Sequence, residues 1–235
     1  MNPLPIKEHE FNSRWWGSSA GVITSAEFFA APEAVRRAAL EAYAWTEFQT
    51  PASQSIDLKE LIRSGFTQVD TQIIFRLDLT KVAPPAGSCE FALEFADEQP
   101  FAVTAEEMAP FRHERFLALP GATLERVAER YVLWSADLIA QNPASCLRIR
   151  YEGRTQGWFL ASAAKGRLML TLAMLAREAT LGGAVLYRAA CHAFAGRGHR
   201  LGEAGFSVSN TPVHNIYAQM GARFLEPRRC YLRLP

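Results

Sequence analysis

The stretch Asn210-Thr-Pro-Val-His-Asn-Ile-Tyr217-Ala-Gln-Met-Gly221-Ala-Arg-Phe224 reads as a complete element with both of its ends marked. Thr211 can cap a short helix with its hydroxyl. Pro212 suits the first helical position, where its missing N–H is not needed, and Gly221 ends the turn. Val213, Ile216 and Met220 lie on one face, and Tyr217 belongs to the same face. Residues 204–209 before this helix and 223–234 after it read as strands.

Further upstream the same alternation continues. Residues 182–195 read as a helix with Val185, Leu186, Ala189, Ala190, Ala193 and Phe194 inside. Residues 168–175 form a continuous apolar run suited to a strand buried on both faces. Residues 145–152 and 156–163 flank Gly153-Arg154-Thr155, a hairpin signature. Before them, residues 123–141 form an amphipathic helix with Leu124, Val127, Ala128, Tyr131 and Leu138 on one face. A short helix opening is expected at 104–111 and a strand at 90–95. The order is an α/β (α+β) layout with a mixed central sheet.

Val82-Ala-Pro-Pro-Ala-Gly-Ser88 breaks the composition and suggests a boundary, giving domains of 1–84 and 88–235. The first part is itself an α/β unit. Residues 32–45 read as a helix, with Val35, Ala38, Ala39 and Ala42 at three- and four-residue steps. Asp57 can cap a second helix, Glu60 completes a capping box, Leu58, Leu61 and Ile62 face inward, and Gly65 ends it. Residues 66–79 then alternate as a strand. Both 58–66 and 216–224 run helix, glycine, aromatic, strand, an internal echo that helix-terminating glycines alone could also produce.

Composition excludes several partners. The chain has 235 residues, with 25 Lys+Arg against 24 Asp+Glu. That balance opposes a nucleic-acid backbone binder, which needs a basic stripe. The strongly apolar run from Leu168 to Ala176 is far shorter than the roughly 20 residues a membrane span needs. Met1-Asn-Pro-Leu-Pro-Ile-Lys-Glu-His9 lacks the layout of a secretion signal, so a cytoplasmic protein is expected. Cys89, Cys146, Cys191 and Cys230 form no C-x-x-C pair and read as buried free thiols. The five histidines show no metal-ligand spacing, so no metal is expected.

Asn210-x-x-Val213-x-x-Ile216-Tyr217-x-x-x-Gly221-Ala-x-Phe224 resembles the closing signature of the GNAT superfamily, the acyl-CoA-dependent N-acetyltransferases. Upstream, Gly183-Ala-Val-Leu186 with Gly196 resembles that family's pyrophosphate loop and helix. The loop departs from the family pattern, since Leu181 stands at the first glycine and Glu178 at the Gln/Arg position, while Gly182 can compensate by slipping one residue. A Gly-Gly entry to a core helix is the alternative. The whole chain is also similar to the branch that includes dTDP-fucosamine acetyltransferase, in which a truncated GNAT-like N-terminal half precedes a complete domain. The matching residues are Arg63-Ser-Gly-Phe-Thr-Gln-Val-Asp70 leading into Ile73-Ile-Phe-Arg-Leu77, Phe111-x-x-x-Arg115-Phe116, Tyr131-x-x-Trp134 and Gly157-Trp-Phe159.

The resemblance implies acetyl-CoA as acyl donor and a small-molecule amine as acceptor, with a nucleotide-linked amino sugar foremost. Tyr217 would be the general acid for the departing thiolate, or else a core tyrosine. Backbone amides of Ala173, Met174 and Leu175 would form the oxyanion site. Those of Leu181, Gly182, Gly183 and Ala184 would hold the pyrophosphate. Asn210 would bond the pantetheine arm or simply cap a helix. Arg115 would hold an anionic acceptor or form an ion pair. Glu178, Glu114, Asp70 and His214 are all open as bases. A homodimer is compatible with the resemblance. The alternative function is a catalytically silent acyl-CoA-binding or partner-binding module.

Overall fold

The computed structural model describes residues 3–85, 91–164 and 166–234. Cys89, Glu90 and Ser88, on which a thiol, a strand start and a boundary were expected, lie outside them. In chain order the elements are β1 (Ile6–Glu8), α1 (Glu10–Trp16), β2 (Ala20–Ile23), α2 (Glu33–Leu40), β3 (Trp45–Pro51), α3 (Leu58–Arg63) and β4 (Phe66–Asp78). There follow β5 (Ala92–Phe95), α4 (Leu124–Gln141), β6 (Cys146–Tyr151), β7 (Arg154–Ala164) and β8 (Arg167–Leu175). The chain closes with α5 (Gly183–Gly196), β9 (Leu201–Ser207), α6 (Thr211–Gln219), β10 (Arg223–Phe224) and β11 (Arg228–Arg233).

Two compact units result, and they divide inside β4, between Ile73 and Ile74. The first holds the chain up to Ile73, Arg115–Ala122 and the chain from Glu226 on. Here β1 is antiparallel to β2, β2 is parallel to β3, β3 is antiparallel to β11, and β11 is antiparallel to β4 from Phe66 to Gln72. Phe28, Phe29, Leu40, Phe48, Leu61 and Phe66 fill its core. The helix expected at 32–45 stops at Leu40 because Trp45 starts the strand that pairs with Ala20. Asp57 caps α3 as expected, accepting from the N–H groups of Lys59 and Glu60. Glu60 does not close a capping box; its carboxylate instead bonds Arg63 and the buried Arg36. A buried guanidinium needs a counter-ion more than a cap needs a second bond. Only Leu61 faces inward, since Leu58 is 55% and Ile62 69% exposed.

The second unit comprises Ile74–Glu114 and Thr123–Leu225. Its strands run β10, the end of β4, β9, β8, β7, β6, β5. The β6–β7 hairpin turns on Glu152 and Gly153, whose φ values of 48° and 75° suit a two-residue type I′ turn. Thr123 caps α4 by accepting from the Arg126 N–H. That helix buries Val127, Tyr131 and Leu138, while Leu124 is exposed. Residues 104–111 form no helix. Residues 105–107 make a turn, and the chain then passes the end of β8, where Met108 bridges Ala176. The last stretch expected as one strand is two, β10 and β11, separated at Leu225–Pro227.

Glu203 on β9 ties the start of the parallel pair. It accepts from Arg76 Nε on β4 at 2.8 Å and from Arg167 Nη1 on β8 at 2.9 Å. The Arg76 hydrogen bond, foremost among the causes, holds its carboxyl below the usual carboxylate value of 4.5. A lowered carboxyl stabilises the fold above its ordinary value and loses that contribution as pH falls through the lowered one. Glu203→Gln is therefore expected to flatten the stability loss below pH 4.5, read by denaturant midpoints across an acid series. Packing gives a second prediction. A Cβ at Gly157 would lie 2.6 Å from the Met174 carbonyl oxygen, which is backbone and cannot step aside. Gly157→Ala is expected to cost about 1–3 kcal/mol of unfolding free energy. Gly196→Ala, with nothing within 4 Å of the new Cβ, should leave the urea midpoint unchanged or raise it.

Candidate functional site

The site begins where β8 and β9 part. These parallel strands register only at Leu168↔Gly202 and Met169↔Glu203, although they run on to Leu175 and Ser207. Beyond Met169 the two strands are no longer registered with each other toward their carboxyl ends, the place where open α/β sheets receive ligands. The α5 crossover between them presents its N-terminus at the same end.

Alternation along β8 decides which of its backbone groups face the β9 side. The Ala176 N–H donates to the Gln156 carbonyl on β7. Met174, two residues back and registered with Trp158, therefore turns its backbone toward β7, while Ala173 and Leu175 turn theirs away. The amide expected of Met174 is accordingly engaged in the ladder. At the far end the segment around Met108 meets the end of β8. Ala109 N–H donates to the Leu175 carbonyl at 2.9 Å, and Arg177 N–H donates to the Glu107 carbonyl at 2.7 Å. Of the three residues expected for an oxyanion site, Ala173 has its backbone turned to the β9 side, clear of this contact.

The loop into α5 is well defined. Gly182 is the N-cap in an extended conformation, and no side chain caps the helix. The first intrahelical bonds run from Val185 and Leu186 to the Gly182 carbonyl, so the N–H groups of Gly182, Gly183 and Ala184 have no intrahelical acceptor. A Cβ at Gly182 would meet nothing within 4 Å, leaving room for a ligand to approach the backbone. At Gly183 it would lie 3.4 Å from Ile216 Cδ1. Leu181 departs from expectation, since its N–H donates to the Gln156 side chain at 3.1 Å. Gln156 attracted no notice in the sequence. A lone glutamine in a strand carries no motif, and its role appears only when β7 and the loop are brought together.

On α6 the cap is Asn210, not Thr211. Asn210 Oδ1 accepts from the Val213 N–H at 3.4 Å, and Thr211 and Pro212 occupy the first turn. Tyr217 is 5% exposed, its ring lying 4.0 Å from that of Phe75 and edge-on to Tyr187 at 5.4 Å. Burial, helped by Tyr187 and Cys191, pushes its hydroxyl well above the ordinary tyrosine value, so it stays protonated across the physiological range.

The remaining candidates scatter. Arg115 sits in the first unit, 3.3 Å from the buried Glu47 carboxylate and over the Phe116 ring, which gives it the ion pair. Asp70 is also in the first unit and accepts from the Thr71 N–H. Glu114 receives the Tyr131 hydroxyl, His214 stacks on Phe224 and Glu178 is exposed. His113 was missed. Its Nδ1 lies 3.1 Å from Ser209 Oγ, just past the carboxyl end of β9. Among the described residues no group of three or more His, Cys, Asp or Glu side chains could hold a metal, and no helix is long and apolar enough to cross a membrane. Cys146, Cys191 and Cys230 are buried and free.

No family model matches the chain and no curated protein matches it. Solved structures do. A GCN5-related N-acetyltransferase from Kribbella flavida is 17% identical, with 99% of this chain and 88% of that one covered at a TM-score of 0.59. One from Sphaerobacter thermophilus is 14% identical over 97% and 75% of the two chains, TM-score 0.57. A tandem GNAT protein from the clavulanic acid biosynthesis pathway is 12% identical over 91% and 74%, TM-score 0.54. The chain thus has the mixed α/β fold that these proteins share.

The cap assignment is checked with two variants. Asn210→Ala is expected to lower unfolding free energy by about 1 kcal/mol, whereas Asn210→Asp keeps the acceptor and should match the parent in urea.

Proposed function

We propose that this chain is an acetyl-CoA-dependent N-acetyltransferase acting on a small amine. The observation that carries this reading is the parallel pair β8/β9, which parts beyond Met169 beside a helix entry with three open amides. The donor set suits a diphosphate, because backbone N–H groups at a helix N-terminus bind anions without any excess of Lys or Arg. The near-neutral balance of the chain agrees with that.

Acetyl-CoA would supply an activated acetyl thioester. Gly182, Gly183 and Ala184 would hold its diphosphate through their N–H groups. Asn210, with Oδ1 occupied by the cap, has its side-chain amide left to donate to the pantetheine arm. The Ala173 N–H would polarise the thioester carbonyl. Tyr217, kept neutral by burial, would donate its proton to the departing sulfur. His113, hydrogen-bonded to Ser209, joins the candidates for receiving the proton that the amine gives up.

The finer reading, a nucleotide-linked amino sugar as acceptor, is supported by the sequence resemblance to the dTDP-fucosamine acetyltransferase branch. We also read residues 1–84 as a truncated copy of the complete domain at 88–235. Each unit has a parallel pair with an intervening helix, β2/β3 and β8/β9, followed by a helix, a left-handed glycine and a strand. Gly65 and Gly221 share a φ of 81°. In each unit a strand from elsewhere in the chain fills the same slot: β11 lies between β3 and β4, and the end of β4 lies between β9 and β10.

The burial of Tyr217 is the observation that favours the second reading, an acyl-CoA-binding module without turnover. A CoA-release assay across dTDP- and UDP-linked amino sugars and simple amines separates the two. Under the leading reading Tyr217→Phe lowers kcat by roughly a hundredfold to ten-thousandfold, with coenzyme A affinity retained. Because the hydroxyl titrates well above 10, no loss of rate below pH 10 should trace to Tyr217. Full activity in Tyr217→Phe excludes the general-acid role.

A further inference from the structure

Behind the open amides stands a side chain that a bound ligand would never touch. Gln156 on β7 is completely buried. Its Oε1 accepts from the Thr180 N–H at 2.9 Å, the Leu181 N–H at 3.1 Å and the Thr180 hydroxyl at 3.3 Å. Its backbone carbonyl accepts from the Ala176 N–H at 2.9 Å, and its Nε2 donates to the Arg154 carbonyl at 3.4 Å. One residue therefore grips both ends of the connection from β8 to α5. The grip stops one residue short of Gly182.

We infer that Gln156 is the positioning residue for the diphosphate-binding amides, holding the loop so that Gly182, Gly183 and Ala184 face the ligand before it arrives. The inference rests on the acetyl-CoA reading above. It accounts for the departure at Leu181, because a loop fixed from the neighbouring strand does not need a glycine there. Fixing the loop in advance removes an ordering cost that binding would otherwise carry. The amide is also the right chemistry. A carboxylate in the same place could accept the same donors, but it would set a buried negative charge behind a bound anion.

The test uses the full-length chain, two variants and two probes, coenzyme A and pantetheine, the latter lacking the diphosphate. Gln156→Met removes the acceptor at similar length. Hydrogen exchange at Thr180 and Leu181 should then accelerate, and coenzyme A should bind roughly ten- to a hundredfold more weakly, the scale of orphaned buried donors. Pantetheine affinity should stay unchanged. Gln156→Glu should keep Thr180 and Leu181 protected yet still weaken coenzyme A selectively, and it carries the test if the methionine variant fails to fold. Coenzyme A binding at parent strength in the foldable variant overturns the inference. So does an equal loss for both probes, which would mark a general structural role. A parent protein that binds no coenzyme A overturns the acetyl-CoA reading along with it, whereas the first two outcomes leave that reading standing.

Discussion

Between β8 and β9 the backbone ladder lasts for two residue pairs and then ends, and much of the second unit answers that interruption. Unpaired backbone groups are tolerated only where something else satisfies them or where water and ligand can reach. At the closed end, Glu203 bridges Arg76 and Arg167 and keeps the pair together where it is paired. At the open end, Glu107–Ala109 engages Leu175 and Arg177. The middle, around Ala173, is the stretch of backbone that the proposed function leaves to a ligand. The crossover helix then delivers its N-terminus to the same place, and Gln156 fixes its approach.

Charge enters this arrangement sparingly. The groups assigned to the anion are amides rather than cations, so a chain with 25 basic and 24 acidic residues loses nothing by its balance. The buried guanidinium of Arg36 and the nearly buried one of Arg115 serve the first unit instead. Arg36 donates to the Phe29 carbonyl and Ser64 and pairs with Glu60; Arg115 pairs with Glu47. Each carries a partner because a buried charge without one costs several kcal/mol.

What could be read beforehand followed local chemistry. The Gly153 hairpin, the Asp57 cap and the glycine that ends α6 depend on residues within a few positions of one another. The misreadings share a cause. Residues 32–45 have a helical pattern throughout, but pairing with Ala20 claims Trp45 for a strand. Residues 104–111 carry a helix-like start, yet β8 offers open backbone and captures them. Glu60 fits a capping box until Arg36 needs it. Of the residues proposed for the site, Tyr217 and Asn210 stood out through the spacing of the closing motif, and Gly182 and Gly183 through the likeness of the upstream loop. Gln156 and His113 were not, because their partners lie 24 and 96 residues away and nothing local announces them.

The way β4 and β11 are shared has a consequence for anyone who would divide the chain. Cutting near Pro84 gives an N-terminal fragment that keeps all of β4 but loses β11, so β3 and β4 would each face an empty slot. The complementary fragment would retain β11 with no sheet to join, and would expose β9 and β10 where β4 had been. Both fragments would carry naked strand edges, the usual template for edge-to-edge aggregation. Insolubility of either piece would therefore say nothing about the foldability of the unit it was meant to represent. A circular permutant or a pair of co-expressed fragments respects the topology that a simple truncation breaks.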